Sequence, residues 1–401
     1  MNHAGTARAV DLSSRVLGQH GGEPPGPTLI AVGGIHGNEP AGVIAARRVL
    51  AALGEARVPF RGEFVALGGN LAALALGRRF RHKDLNRQWT EARIAALRTQ
   101  APDADDAEDA EQRDLLAAFD AVLARAQGDV FVIDLHTTSA EGHPFVIFGD
   151  TMRQRRFARC FDLPIILGLE EQIDGVLSDH LTRRGCVTLS VEGGRHDDPA
   201  TLERLEAVIW VALASVGLCH KEDLPGWDDA RARLRGARVG FPPVLEVLSR
   251  HAITPEDQFS MAPGFSNLAH AQRGQLLARD RNGEIRAPRD GIVILPLYQG
   301  QGDDGFFWGR AVGSTRMRLG DSARRLGLDR VLPYLPGVRR DRRHPDRLVV
   351  DKRVARIYPL DVFHVFGYRR IRESGRTLTV ARQDEGERLA APSVARSARL
   401  H

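Results

Sequence analysis

Four polar side chains stand where apolar runs of this chain stop, and their types belong together chemically. His36 and Glu39 sit in "AVGGIHGNEPAG" (31–42), His136 closes "DVFVIDLH" (129–136), and Glu192 closes "CVTLSVE" (186–192). Two imidazoles and one carboxylate suit zinc with a further position left for water, the donor set of hydrolytic zinc sites. Glu192 would then be the carboxylate left over to take a proton from that water. Taken singly, each has an ordinary reading. The H-x-x-E pattern arises by chance, a histidine ending a strand is often only hydrogen-bonded, and a glutamate after a strand is often the negative charge at a helix start. Their shared place in the fold favours the metal.

That place follows from the elements. The runs "TLIAVGG", "EFVALGG" (63–69), "DVFVIDLH", "PFVIFGD" (144–150), "LPIILGL" (163–169) and "CVTLSVEGG" (186–194) are continuously apolar rather than alternating. Such runs mark strands covered on both faces, hence an α/β fold with a mostly parallel or mixed sheet. "EPAGVIAARRVLAAL" has the period of a helix, with proline in its first turn. In a parallel sheet the carboxyl ends share one edge, so Glu39 and His136 can meet although 136 − 39 = 97 positions separate them. The acidic stretch "QAPDADDAEDAEQ" (100–112) reads as a loop entering the helix "RDLLAAFDAVLARA" and is given no function.

The composition changes near 221–245, where "KEDLPGWDD" and "GFPP" read as linkers, and short β segments follow. "QLLARDRNGEIRAPRDGIVILPLYQG" (275–300) is a hairpin pattern in which Asn282-Gly283 supplies the positive-φ residues of a tight turn. "VFHVFGYRRIRESGRTLTVAR" (362–382) suggests another. The expected organisation is an α/β hydrolase domain over 1–225, a mostly β C-terminal domain over 240–382, and a weakly ordered tail over 384–401.

Bulk properties exclude little but point one way. With 401 residues and 43% hydrophobic content the chain can bury a core and suits two domains. The net charge of +5 is small for that length and does not by itself argue for nucleic acid. Its late basic segments, "GVRRDRRHPDR" (337–347) and "YRRIRESGR" (368–376), read as solvated faces. Cys160, Cys186 and Cys219 are too scattered for a disulfide framework, which favours a reducing compartment. The first residues lack a basic start followed by an apolar stretch, and "AVIWVALASVGLC" (207–219) is too short to span a bilayer. A cytoplasmic protein with no membrane or nucleic-acid partner is expected; a homo-oligomer stays open.

The set "GGIHGNE", "RRFRHKDLNRQW" (78–89), "DLHTT" and "SVEGG", in that order, resembles the succinylglutamate desuccinylase/aspartoacylase family, a branch of the zinc carboxypeptidase-like fold. The likeness runs from about residue 28 to near 310; nothing beyond about 320 matches. It implies that His36, Glu39 and His136 hold one zinc ion per subunit and that Glu192 is general base and acid. It also implies that Asn86 and Arg87 hold a substrate carboxylate, a task that suits the planar fork of arginine. An arginine before Asp84 would polarise the scissile carbonyl; the spacing gives Arg79, with Arg78 adjacent. Arg195 and His196 are further candidates to line the site, His143 reads as a loop residue, Asp134 could orient a ligand, and Asp84 more simply braces its loop.

The implied activity is a zinc amidohydrolase that deacylates an N-acylated amino acid or a similar small amine. A zinc carboxypeptidase or amidase acting on a peptide is the nearest alternative, since both need the same metal and base. A non-catalytic binding protein using the basic C-terminal segment is the third, and an intact Glu192 argues against it. "GEIRAPRDGIVILPLYQGQ" also resembles the hammerhead of biotinyl and lipoyl carrier domains. No lysine occupies the turn, so it reads as a carrier-like barrel segment without carrier function. Tyr298 and Phe306-Phe307-Trp308 read as core rather than pocket lining.

Overall fold

The computed structural model describes residues 14–313 and, beyond them, 319–320, 322–324, 326–341, 347–351, 353, 363, 366, 368–374 and 377–382. The tail expected to be weakly ordered, 384–401, lies outside the described residues, as do 342–346 and 375–376 of the basic segments. The chain forms two compact units. Of the described residues, one holds those up to Thr138 together with Ser190–Leu234; the other holds Ser139–Leu189 and those from Arg235 to 382.

In chain order the strands through residue 195 are β1 (Val16–Gly22), β2 (Thr28–Gly33), β3 (Gly62–Gly68), β4 (Val130–Thr138), β5 (Phe145–Ile147), β6 (Ile165–Leu167) and β7 (Val187–Arg195). The helices are α1 (Ala41–Ala56), α2 (Leu71–Leu74), α3 (Glu91–Thr99), α4 (Ala107–Arg125), α5 (Met152–Ala158), α6 (Leu177–Arg183) and α7 (Pro199–Ser215). All six runs read as strands are strands. In the first unit β2 pairs in parallel with both β3 and β4, and β7 lies beside β4. β1, absent from the sequence reading, adds antiparallel to β3 as an edge strand. Its "VLGQHGG" is half exposed and carries three glycines, so it lacks the continuous apolar signal of its neighbours. Every residue of β2 is buried, as expected of a central strand. Helix α7 buries Val208–Leu213. Among the described residues no helix is long and apolar enough to cross a membrane.

In the second unit β5, β6 and β8 (Val244–Ala252) are parallel. The next strands are β9 (Ser260–Met261), β10 (Ala269–Ala271), β11 (Leu276–Asp280), β12 (Gly283–Arg286), β13 (Gly291–Ile294) and β14 (Asp304–Ala311). Antiparallel strands continue the sheet in the order β8-β14-β13-β10, while β12-β11-β9 make a small sheet of their own. Phe306, Phe307 and Trp308 are core, as read from sequence; Tyr298 is exposed, its hydroxyl donating to the Ala262 carbonyl. The hairpin of β11 and β12 is present with a different turn. Asp280 pairs with Gly283, so Arg281 and Asn282 form the tip, and only Gly283 has positive φ. The Asp280 carboxylate accepts from the Asn282 amide at 2.7 Å and supplies the turn instead. A last sheet, ordered β15 (Val338–Arg340), β16 (Arg347–Asp351), β18 (Thr377–Arg382) and β17 (Tyr368–Ser374), contains the second expected hairpin.

Candidate metal centre

The site lies within the first unit, and its geometry starts with glycine. β2 ends on Gly33, and Gly34 reverses the chain at φ +73°, a conformation that strains other residues. A Cβ on Gly37 would stand 2.2 Å from the Ala73 carbonyl carbon and 2.4 Å from the Arg78 oxygen. The His36 turn is therefore pressed against the 73–79 segment, and the Gly37 amide donates to the Arg79 carbonyl at 3.0 Å. Pro40 then opens α1.

This turn brings His36 and Glu39 to His136, although β4 begins far along the chain. Nδ1 of His36 lies 2.9 Å from Glu39 Oε1, and Nδ1 of His136 lies 3.2 Å from Glu39 Oε2. The rings tilt at 53° with centroids 5.2 Å apart. One potential ligand atom from each of the three buried residues lies within 4.8 Å of the others. Each imidazole has a carboxylate behind it: Asp84 Oδ1 is 3.2 Å from His36 Nε2, and Asp134 Oδ2 is 2.9 Å from His136 Nε2. Such outer carboxylates fix ring orientation and keep the inward nitrogen available as a donor. The Thr137 amide holds Glu39 Oε2 at 2.9 Å.

Asp84 does more than brace its loop. Its Oδ2 accepts from Arg79 Nε and Nη2 at 3.1 and 2.9 Å, while Oδ1 also accepts from the Asn86 amide at 2.8 Å. Arg79 Nη1 is left facing the cluster, 3.7 Å from Glu39 Oε1. Arg78 is exposed, so the structure puts Arg79, not Arg78, at the cluster. Asn86 is buried in a short helical turn, and Arg87 donates to its carbonyl at 3.0 Å. His196 bridges the two histidine segments, with Nδ1 2.6 Å from Thr137 Oγ1 and Nε2 3.4 Å from Asn38 Nδ2. Arg195 pairs with Asp197. His143 accepts no site role: its Nδ1 donates to the Ala237 carbonyl at 2.8 Å and its ring packs on Phe241.

Electrostatics separate the carboxylates. Burial alone would raise Glu39, but the charge of His36 and hydrogen bonds from both histidines outweigh it and hold Glu39 well below the usual range. Asp84 is likewise held low: burial opposes, and His36 and Arg79 prevail. Burial would lower His136, yet Asp134 and Glu39 lift it well above the ordinary imidazole value. Burial pushes Glu192 up to about 8; His136 and Arg79 pull it down and Glu39 adds to the rise. Its Oε2 is buried with no hydrogen-bond partner among the described residues. An ionised, histidine-flanked carboxylate and a buried one with raised proton affinity are pushed apart, as suits one ligand and one group that holds and passes a proton.

A second group, His82, Asp106 and Glu108, also clusters within 4.8 Å. Its carboxylates are already engaged: Asp106 caps α4 and pairs with Lys83 at 2.8 Å, and Glu108 accepts from backbone amides. Those acidic residues belong to the run read as a loop. In the structure α4 already begins at Ala107 and buries Glu108, Asp109 and Glu111. An acidic, alanine-rich stretch carries no periodicity by which its buried face could be told.

Residues 25–208 match the model of the succinylglutamate desuccinylase/aspartoacylase catalytic domain. Solved structures similar to the chain include a succinylglutamate desuccinylase/aspartoacylase from Rhodobacter sphaeroides, at TM-score 0.53 and 19% identity over 73% of this chain and 87% of that one. The product-bound ectoine utilization protein EutE from Ruegeria pomeroyi aligns at TM-score 0.53 and 19% identity, covering 72% and 86%. Murine aminoacylase 3 aligns at TM-score 0.50 and 18% identity, covering 73% and 97%. At these identities the likeness establishes the shared fold.

Proposed function

We propose that the chain, whose residues 25–208 match the succinylglutamate desuccinylase/aspartoacylase catalytic-domain model, is a zinc-dependent deacylase of an N-acylated amino acid or a similar small amide. The observation that carries this reading is the His36, Glu39 and His136 cluster, with Glu192 in electrostatic reach of His136, Glu39 and Arg79 and its Oε2 buried without a hydrogen bond among the described residues. Two nitrogens and a carboxylate oxygen, each braced from outside, suit one zinc ion. Zinc bound there supplies a Lewis acid for the acyl carbonyl and makes a water acidic enough to ionise near neutral pH.

The chain's own groups do the rest. Glu192 takes a proton from the attacking water as its oxygen joins the acyl carbon, then gives that proton to the amine nitrogen as the C–N bond breaks. Arg79, oriented by Asp84, offers Nη1 to the negative charge that develops on the carbonyl oxygen. Asn86 and Arg87 hold the substrate's carboxylate, and His196 and Arg195 line the approach. Catalysis is assigned to residues 1–225, the β-rich 240–382 region has a supporting role, and the cytoplasm is the proposed location.

Metal analysis of the purified protein, joined to a panel of N-acetyl and N-succinyl amino acids and short peptides, tests the reading. The expected result is one zinc per chain and turnover of N-acyl amino acids. Preference for peptides would make it a carboxypeptidase instead, and absence of both metal and turnover would overturn the hydrolase.

A further inference from the structure

We propose that Glu108 is a positioning residue for the Arg79–Arg87 segment, acting through that segment's backbone on Asp84, Arg79 and His36. The inference deepens the deacylase reading and rests on it. Glu108 is fully buried in the first turn of α4. Its carboxylate accepts from the amides of Arg81 at 2.7 Å, His82 at 2.9 Å and Lys83 at 3.4 Å, and from Asn70 Nδ2 at 3.1 Å. One turn later on the same helix face, Gln112 Nε2 donates to the Gln88 carbonyl at 2.8 Å. α4 therefore grips the backbone on both sides of Asp84, Asn86 and Arg87. Trp89, fully buried edge-to-face against Phe119 of α4, closes the far end.

The side chains of the gripped stretch add little to the hold. Arg81 is exposed, Lys83 pairs with Asp106 and Asp109, and the exposed His82 brings only Nδ1 to 3.6 Å from Glu108 Oε2. The main chain is what Glu108 holds, and the next residue along it is Asp84, whose two oxygens reach His36 and Arg79. Releasing three consecutive amides lets Asp84 shift, and a shift there misplaces a ligand imidazole and a guanidinium together. Misplacements near 1 Å cost about a hundredfold in rate. Glu111, three residues on, provides the contrast: it accepts from the Leu71 and Ala72 amides at 3.1 and 2.8 Å and pairs with Arg15, so it holds the start of α2 and not the Arg79–Arg87 stretch.

The test compares Glu108→Gln, Glu108→Asp and Glu111→Gln in the full chain. The readouts are amide exchange at residues 81–83, zinc affinity by chelator competition, thermal unfolding, and kcat and KM at saturating zinc. For Glu108→Gln the expected result is exchange at least about tenfold faster at 81–83, zinc affinity weakened about tenfold, and kcat lowered about ten- to hundredfold with KM changed less. Glu108→Asp, which keeps the charge on a shorter arm, should fall between it and the parent, and remains usable if the Gln variant does not fold. Glu111→Gln should lose stability yet keep zinc affinity and kcat within about twofold. Equal losses of kcat and zinc affinity in Glu108→Gln and Glu111→Gln would overturn the proposal, as would unchanged zinc affinity and kcat in Glu108→Gln despite faster exchange. If the parent binds zinc but deacylates nothing, the deacylase reading fails alone, and exchange with zinc affinity still decides the role of Glu108.

Discussion

Replacing Asp84 by Asn preserves shape and removes one acceptor, at the point where His36, a proposed ligand, and Arg79, proposed to polarise the carbonyl, are joined. Four donors converge on Asp84: His36 Nε2 and the Asn86 amide on Oδ1, Arg79 Nε and Nη2 on Oδ2. An asparagine can serve one side only. If its oxygen takes the Oδ1 place, its NH2 faces the guanidinium, donor against donor, and Arg79 swings away. If it flips, the NH2 faces both the Asn86 amide and His36 Nε2. The ring must then take the other tautomer and point an N–H at Glu39. Either outcome forfeits a charge-assisted contact worth about 1.5–3 kcal/mol, about ten- to hundredfold. Both side chains are largely buried, so water does not replace what is lost. Zinc competition and kcat/KM on an N-acyl amino acid are the assays. The expected result is about a tenfold or greater loss in at least one, with thermal unfolding still cooperative. Zinc affinity and kcat/KM both within twofold of the parent would refute the claim that Asp84 orients these groups.

Other outcomes follow from the same geometry. Glu192→Gln should keep its zinc stoichiometry while losing about 10²–10⁴-fold in kcat; near-parental turnover would remove Glu192 from the proton transfers. Glu39 and Asp84 are held below their ordinary values of 4.5 and 3.8 in the folded protein, so their stabilisation is complete above those values and is lost as pH falls through the lower folded ones. Metal-free protein should accordingly lose stability on acidification below about pH 4, and Asp84→Asn should flatten that slope in denaturant titrations. Burial pushes the Cys186 and Cys219 thiols up to about 12, so at pH 8 only about one in ten thousand of each is thiolate. Alkylation of the native protein, read by mass spectrometry, should mark the more accessible Cys160 first.

Much of the fold was legible because its strands are buried on both faces and spell this out as unbroken apolar runs. The half-exposed β1 has no such signature and was missed. The same logic brought His36, Glu39 and His136 together: residue type and strand-end position suffice where a parallel sheet collects its carboxyl ends at one edge. The tip of the β11–β12 hairpin was misplaced by one residue, because an Asp side chain can close a turn that Asn-Gly would otherwise close with its backbone.

The supporting groups were harder to read for a different reason. Asp84 and Asp134 act on the histidines across gaps of 48 residues and two residues respectively, and neither spacing is a pattern by itself. Glu108 is harder still. Its partners are main-chain amides, which every residue but proline possesses, so nothing in the sequence of the receiving segment announces it. Nor does the helix: three acids in one turn of an alanine-rich stretch look like a solvated surface until the loop they cradle is known. What marks the grip in space is that one buried carboxylate answers four donors, three of them consecutive main-chain amides, while the side chain of Arg81 is exposed. A loop fixed by its backbone can vary its side chains and still present Asp84, Asn86 and Arg87 in register. Substitution of the exposed Arg81 by alanine should therefore leave zinc affinity unchanged, whereas shortening the 81–83 stretch by one residue should abolish it.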